Sequence, residues 1–246
     1  MLALLSVTLP VRAATVSGGN MIINLDRDAL AAAIALDATP APSMYLEEFF
    51  DAQAANSRTF SQILEDHIVP GVAEIPATNL SFAVNGSQVS NLTGRFGKPT
   101  TIDFDPAHFE SSVSGAIGLA GVLRYRIDID STHNRILSGD YTLEYDANKV
   151  DAGSGRSGWT LYNHVSFVAE SFNLFNVVMD LANGSLILTG DLGLGEGYDH
   201  LSGSRGALVG DFRLETAVVP LPPALGLFAS GLLALGMRRF TKGERG

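Results

Sequence analysis

The sequence predicts a mainly β protein: an antiparallel β-sandwich or partly closed barrel, preceded by a short helical N-terminal region and followed by a single C-terminal transmembrane helix. Three observations carry that expectation. From Leu80 onward, short runs alternate apolar and polar side chains, and Gly, Asn and Asp punctuate them at the spacing of a sandwich or barrel. Residues 21–68 instead show Ala-rich stretches and apolar side chains at i, i+3, i+4. Residues 217–237 contain no charged side chain, matching the roughly 20 apolar residues that a bilayer-spanning helix requires.

Residues 1–13 read as a signal peptide. Met1-Leu2-Ala3-Leu4-Leu5 is apolar, and Val11-Arg12-Ala13 sets small residues at the right spacing for a cut after Ala13. The run lacks a basic residue before it, which a start codon further upstream would supply. Residues 14–70 form the helical region. Asp26 is placed to cap a helix over 25–36, and Leu46, Phe49 and Phe50 mark a second from Met44 to Asn56, beyond Pro40-Ala41-Pro42. A third runs from Phe60 to Ile68 and stops at Pro70-Gly71.

Residues 71–217 form the β-rich extracellular domain. Residues 123–130 alternate without exception, apolar against charged, as a strand with one buried and one wet face does. Residues 141–146 repeat the scheme, and 165–169 do so more loosely. Gly139-Asp140, Gly190-Asp191 and Gly210-Asp211 each precede two apolar residues with one between, and read as turn-to-strand entries.

Charge narrows the partners. Four of the 16 basic and one of the 26 acidic residues fall after Ala217, which leaves 12 against 25 and a net charge of −13 before it. Such a surface repels phosphates, so no nucleic acid partner is expected. The absence of cysteine rules out disulfides and thiolate chemistry.

The body carries no catalytic signature. Its five histidines, His67, His108, His133, His164 and His200, fall in no metal-ligand spacing, and no Gly-x-Ser-x-Gly elbow occurs. No cofactor and no metal site are expected. Asp128-Ile129-Asp130 begins like a calcium loop, but Thr132 and His133 stand where a ligand and a glycine belong. Asp103 and Asp105 share a strand face; such a pair can serve a glycosidase, whose carboxylates face each other across a cleft, and equally suits a plain wet face. Trp159, the only tryptophan, lies near Tyr162; the two offer a glycan contact, while a lone Trp more often anchors a β core.

The tail, residues 218–246, holds the most specific pattern. Val219-Pro220-Leu221-Pro222 precedes a Gly/Ala/Leu-rich run over 221–237, which stops at Arg238-Arg239. Prolines keep the motif extended, and the basic pair acts as a membrane stop on the cytoplasmic side. This arrangement resembles the PEP-CTERM group of bacterial sorting signals, in its Val-Pro-Leu-Pro-Ala variant; Pro223 stands where that variant has a small residue. The resemblance covers residues 217–246 only. It implies an exosortase-type membrane transpeptidase as partner, inner-membrane anchoring with a periplasmic body, then transfer to the cell surface or exopolysaccharide matrix. The expected function is therefore that of an exported, non-catalytic surface or matrix-associated protein. The alternative is an extracellular carbohydrate-binding or carbohydrate-active domain.

Overall fold

The computed structural model describes residues 14–34, 44–65, 74–127, 135–201 and 204–220. In chain order the first elements are β1 (Ala14–Leu25), α1 (Arg27–Ile34), β2 (Tyr45–Phe50), α2 (Ala52–Ala55) and α3 (Phe60–Glu65). Then come β3 (Leu80–Val84), β4 (Asp103–Phe104), α4 (Phe109–Ser112), β5 (Ala116–Ala120), β6 (Val122–Arg126) and β7 (Arg135–Gly139). The meander β8 (Thr142–Asp151), β9 (Arg156–Asn163), β10 (Ala169–Ala182) and β11 (Ser185–Leu194) leads through a 3-10 helix (Glu196–Leu201) to β12 (Leu208–Pro220).

Eight of these strands, β1-β3-β5-β8-β9-β10-β11-β12, form a closed antiparallel barrel in which each pairs with the next and β12 returns to β1. Of the two architectures expected, the barrel is the one found, and it is closed. The seam joins the first strand to the last, from Ala14↔Pro220 to Leu25↔Gly210, with a bulge at Ser17/Gly19. Gly19 has φ +118°, and a Cβ there would run into the Glu215 carbonyl, so the bulge needs glycine. Closure leaves no barrel strand edge along the seam.

An eight-stranded barrel is just wide enough for its own side chains, and here they fill it. Met21, Ile23, Phe82, Leu119, Leu143, Leu161, Phe172, Leu188 and Leu214 all point inward and are buried. Aromatic rings line both ends of this core. Phe49, Phe82, Tyr141, Phe172 and Tyr198 follow one another at 5.0 to 6.2 Å between ring centres. At the other end Phe109 lies between Phe104 and Trp159, at 4.7 and 6.1 Å.

The strands outside the barrel build a cap. β5 passes into β6 at Gly121, and β7 passes into β8 at Asp140, so one long hairpin crosses from the barrel into a three-stranded sheet, β2-β6-β7. The bend uses left-handed backbone on both strands: Gly121 has φ +142° and Asp140 φ +45°. Asp140 N–H donates to the Gly121 carbonyl at 2.8 Å, holding the two bends together.

Buried charge fixes both the bend and the cap. Arg95 donates through Nη2 and Nε to the two Asp140 carboxylate oxygens, at 2.6 and 2.8 Å, with both side chains almost fully enclosed. Its Nη1 also donates to the Ala55 carbonyl at the end of α2 and to the Arg58 carbonyl just past it. In the cap, Glu47 of β2 accepts from Arg124 at 2.9 Å and from Arg135 at 2.6 Å, and Arg126 lies 3.5 Å away. Burial works against the Glu47 charge, but the Arg135 hydrogen bonds and the three guanidiniums outweigh it and hold the carboxyl below its usual range.

Several expectations change here. The charged face of the described part, 123–126, is not wet: Arg124 and Arg126 are buried against Glu47, which lies 77 residues from Arg124 in sequence, while Asp128 and Asp130 lie outside the described residues. The helix expected over 44–56 is strand β2 followed by the single turn α2, and residues 14–25, placed in the helical region, are barrel strand β1. Gly190-Asp191 and Gly210-Asp211 lie inside continuous strands rather than at turns; only Gly139-Asp140 marks a change of sheet. Residues 164–168 form the β9–β10 connection instead of a strand. Other expectations hold. Asp26 caps α1 by accepting from the Asp28 and Ala29 N–H groups, and the third helix starts at Phe60 as expected. A reciprocal capping box between Thr59 and Gln62, with no counterpart among the expectations, opens that helix. No helix among the described residues is long and apolar enough to cross a membrane. The signal peptide 1–13 and the span 221–237 lie outside the described residues.

Glu47→Gln would keep the shape of the cap but remove the anion its guanidiniums share. Breaking a buried ionic cluster on one side costs about 3–5 kcal/mol. Urea unfolding is expected to show a loss of that order, with Glu48→Gln, half-exposed at the edge of the same cluster, losing far less.

Candidate functional site

The residues singled out from sequence scatter across the barrel. Trp159 and Tyr162 lie on one strand, β9, but three residues apart in a two-residue repeat puts them on opposite faces. Trp159 is 4% exposed and packs inside, 5.2 Å from the Tyr145 ring. Tyr162 faces outward, so the pair shares no glycan-binding surface, and the core-anchor reading of Trp159 is the one realised. Asp103 is exposed on β4. Asp105 turns back on its own loop, where hydrogen bonds from His108 and the Ala107 N–H hold its carboxyl below the usual range. The Asp128–Asp130 loop and the stop residues Arg238 and Arg239 lie outside the described residues, as do Leu221 and Pro222. Val219 and Pro220 are described: they end β12, paired with Thr15 and Ala14.

Around Tyr162 the outer face of β9 and β10 carries a polar network. Lys149 of β8 donates to the Tyr162 hydroxyl at 2.6 Å and to Glu170, and its ammonium stands 5.0 Å from the Tyr162 ring centre. Burial disfavours this ammonium, yet the hydrogen bonds to Glu170 and Tyr162 prevail and raise its pKa. Arg156 donates to Asn173 at 2.5 Å and approaches Glu170 at 3.7 Å. Thr160 completes the set by donating to Asn173 at 3.3 Å. Beside this network runs an open groove of about 660 Å³, lined by Asn148, Lys149, Arg156, Glu170, Asn173 and Arg205, with Val150 and Leu208 as apolar edges. Amides, carboxylates and guanidiniums in such density offer many paired donors and acceptors, which suits a neutral polyhydroxylated ligand. One face of the Tyr162 ring is occupied by Lys149, so binding there would rely on hydrogen bonds more than stacking.

A second polar feature was hidden in the sequence. His164 follows β9 and is completely buried. Thr142 Oγ1 donates to Glu144 at 2.8 Å and therefore accepts from His164 Nε2–H at 2.9 Å. The proton sits on Nε2, and Nδ1 is left enclosed with no hydrogen-bond partner. Burial, reinforced by the Lys98 charge, lowers the His164 pKa to about 4. Only the apolar setting of residues 161–165 hinted at this in the sequence.

No three metal-ligating side chains stand together among the described residues. Comparison with protein-family models, with curated proteins and with solved structures finds no significant match.

His164 makes stability pH-dependent. The unfolded chain protonates it near pH 6.5, while the folded chain resists until about pH 4. Unfolding thus takes up a proton between these values, and stability falls as pH drops through them, by about 3 kcal/mol at the acid end. Urea unfolding at pH 7, 5.5 and 4 is expected to show a steeper decline for the native chain than for His164→Gln.

Proposed function

We propose that this is an exported, non-catalytic surface protein whose C-terminal tail anchors and sorts a β-barrel body. One observation carries the reading: Ala14, the first residue after the expected signal-peptide cut, pairs with Pro220 inside the expected sorting motif. The residue that follows the expected cut and the start of the expected sorting motif therefore stand side by side at one end of the barrel. The cap continues past the opposite end, where β6 and β7 extend the hairpin. An expected span beginning at Leu221 leaves no spacer, so the terminal end of the barrel would sit against the bilayer and the cap would face away.

The partners implied are an exosortase-type transpeptidase and the inner membrane during sorting, then the exopolysaccharide matrix. Val219 is 43% exposed but still paired to Thr15, so the enzyme would reach the motif most readily from Leu221 onward. The carbohydrate-binding alternative keeps one supporting observation, the hydrogen-bonding groove beside Tyr162. A glycan array with Asn173→Ala as control separates the two, since matrix display alone requires no saturable glycan binding.

The sorting reading is checked by expressing the chain with and without a cognate exosortase and weighing the product. With the enzyme, the mature mass is expected to fall by the tail and the body to leave the membrane fraction. Pro222→Ala should slow that conversion. An unchanged mass in cells with an active enzyme contradicts the proposal.

A further inference from the structure

A smaller and drier recess lies between the cap and the start of β10. Phe60 and Leu64 of α3, Ile136 and Leu137 of β7, and Phe167 form its apolar walls. Its volume is about 150 Å³, the size at which an apolar cavity accepts a single benzene ring. Phe167 and Val168, both well exposed beside it, leave an apolar approach from solvent.

One wall differs in chemistry. Ser138, Ser171 and Tyr198 line the recess and are all buried. Ser138 Oγ lies 2.8 Å from Ser171 Oγ and 2.8 Å from the Tyr141 hydroxyl, so its hydrogen-bonding capacity is largely used within the protein. The Tyr198 hydroxyl is enclosed beside the Ser138, Ser171 and Tyr125 hydroxyls but closes no well-formed hydrogen bond with any of them. Desolvation pushes the Tyr198 phenol up, which keeps its proton in place as a donor at neutral pH. A buried donor with no well-placed acceptor is unfavourable, and an incoming oxygen in better line relieves it. Arg135 also edges the recess, but its guanidinium is held by Glu47 at 2.6 Å. An anion would therefore lose its hydration without gaining an uncommitted cation.

We propose that this recess binds a small uncharged molecule with a single-ring apolar body and one hydroxyl or carbonyl oxygen, which takes the hydrogen bond from Tyr198. The apolar walls supply affinity, and the hydroxyl wall sets orientation and selects against wholly apolar or anionic relatives. The recess is separate from the groove beside Tyr162 and does not depend on how the tail is sorted.

The test uses the full chain in lipid nanodiscs, titrated calorimetrically with p-cresol, toluene and benzoate, with empty nanodiscs subtracting partition into lipid. Saturable one-to-one binding of p-cresol is expected, tighter than toluene and much tighter than benzoate. Tyr198→Phe should weaken p-cresol roughly 2- to 10-fold, the worth of one hydrogen bond, and leave toluene unchanged. Ala169→Leu, which grows a side chain into the recess, should abolish both in a protein whose near-UV spectrum shows it folded. The proposal is overturned if p-cresol does not saturate the folded native chain. It is equally overturned if Tyr198→Phe weakens p-cresol and toluene alike, or if folded Ala169→Leu still binds.

Discussion

The fork between Arg95 and Asp140 is the constraint on which the architecture turns. A hairpin that starts in the barrel and ends in the cap must bend, and both bending residues adopt left-handed backbone. Glycine accepts that conformation readily at 121; at 140 the aspartate is held there because its carboxylate is gripped by Arg95 from another segment. The same guanidinium donates to the Ala55 and Arg58 carbonyls at and just beyond the end of α2. One buried cation thus ties the hinge, the loop before β4 and the helical turn after β2 into a single arrangement. Burying such a pair is a weak source of net stability, because desolvation offsets attraction, but it penalises every conformation in which one partner lacks the other. Its value lies in fixing one bend out of many.

Glu47 extends the logic into the cap. Its carboxylate accepts from β6 and β7, so three strands are pinned by charge where the barrel is pinned by apolar packing. The consequence for function is a division of the surface. The end where β1 begins and β12 stops lies opposite the cap, and the recess and the groove both take lining residues from β10.

Local chemistry was legible in the sequence, and long-range pairing was not. Asp26 before an Ala-rich run is a sufficient signal for α1, because capping involves only neighbouring N–H groups. The alternation of 123–126 correctly marks a strand. Its charged side chains look solvated only because nothing near them in sequence reveals Glu47. Tyr45–Phe50 shows the ambiguity of a short apolar run, whose i, i+3, i+4 spacing fits a helix while tertiary pairing makes it a strand. Closure of the barrel needs Ala14 to find Pro220, and no local pattern records that match. The candidate sites were harder still. Trp159 and Tyr162 are close in sequence but divided by the sheet, and the orphaned Tyr198 hydroxyl is visible only once Ser138 and Ser171 are placed around it.

The claim that a buried ion pair holds the bend is tested most directly by a double-mutant cycle on Arg95→Met and Asp140→Asn, read by urea unfolding of the chain. A real fork predicts that each single change is severe and that the two together cost well under their sum, with a coupling above about 1.5 kcal/mol. Additive losses, with coupling near zero, would show that Arg95 and Asp140 act independently and that something else sets the hinge.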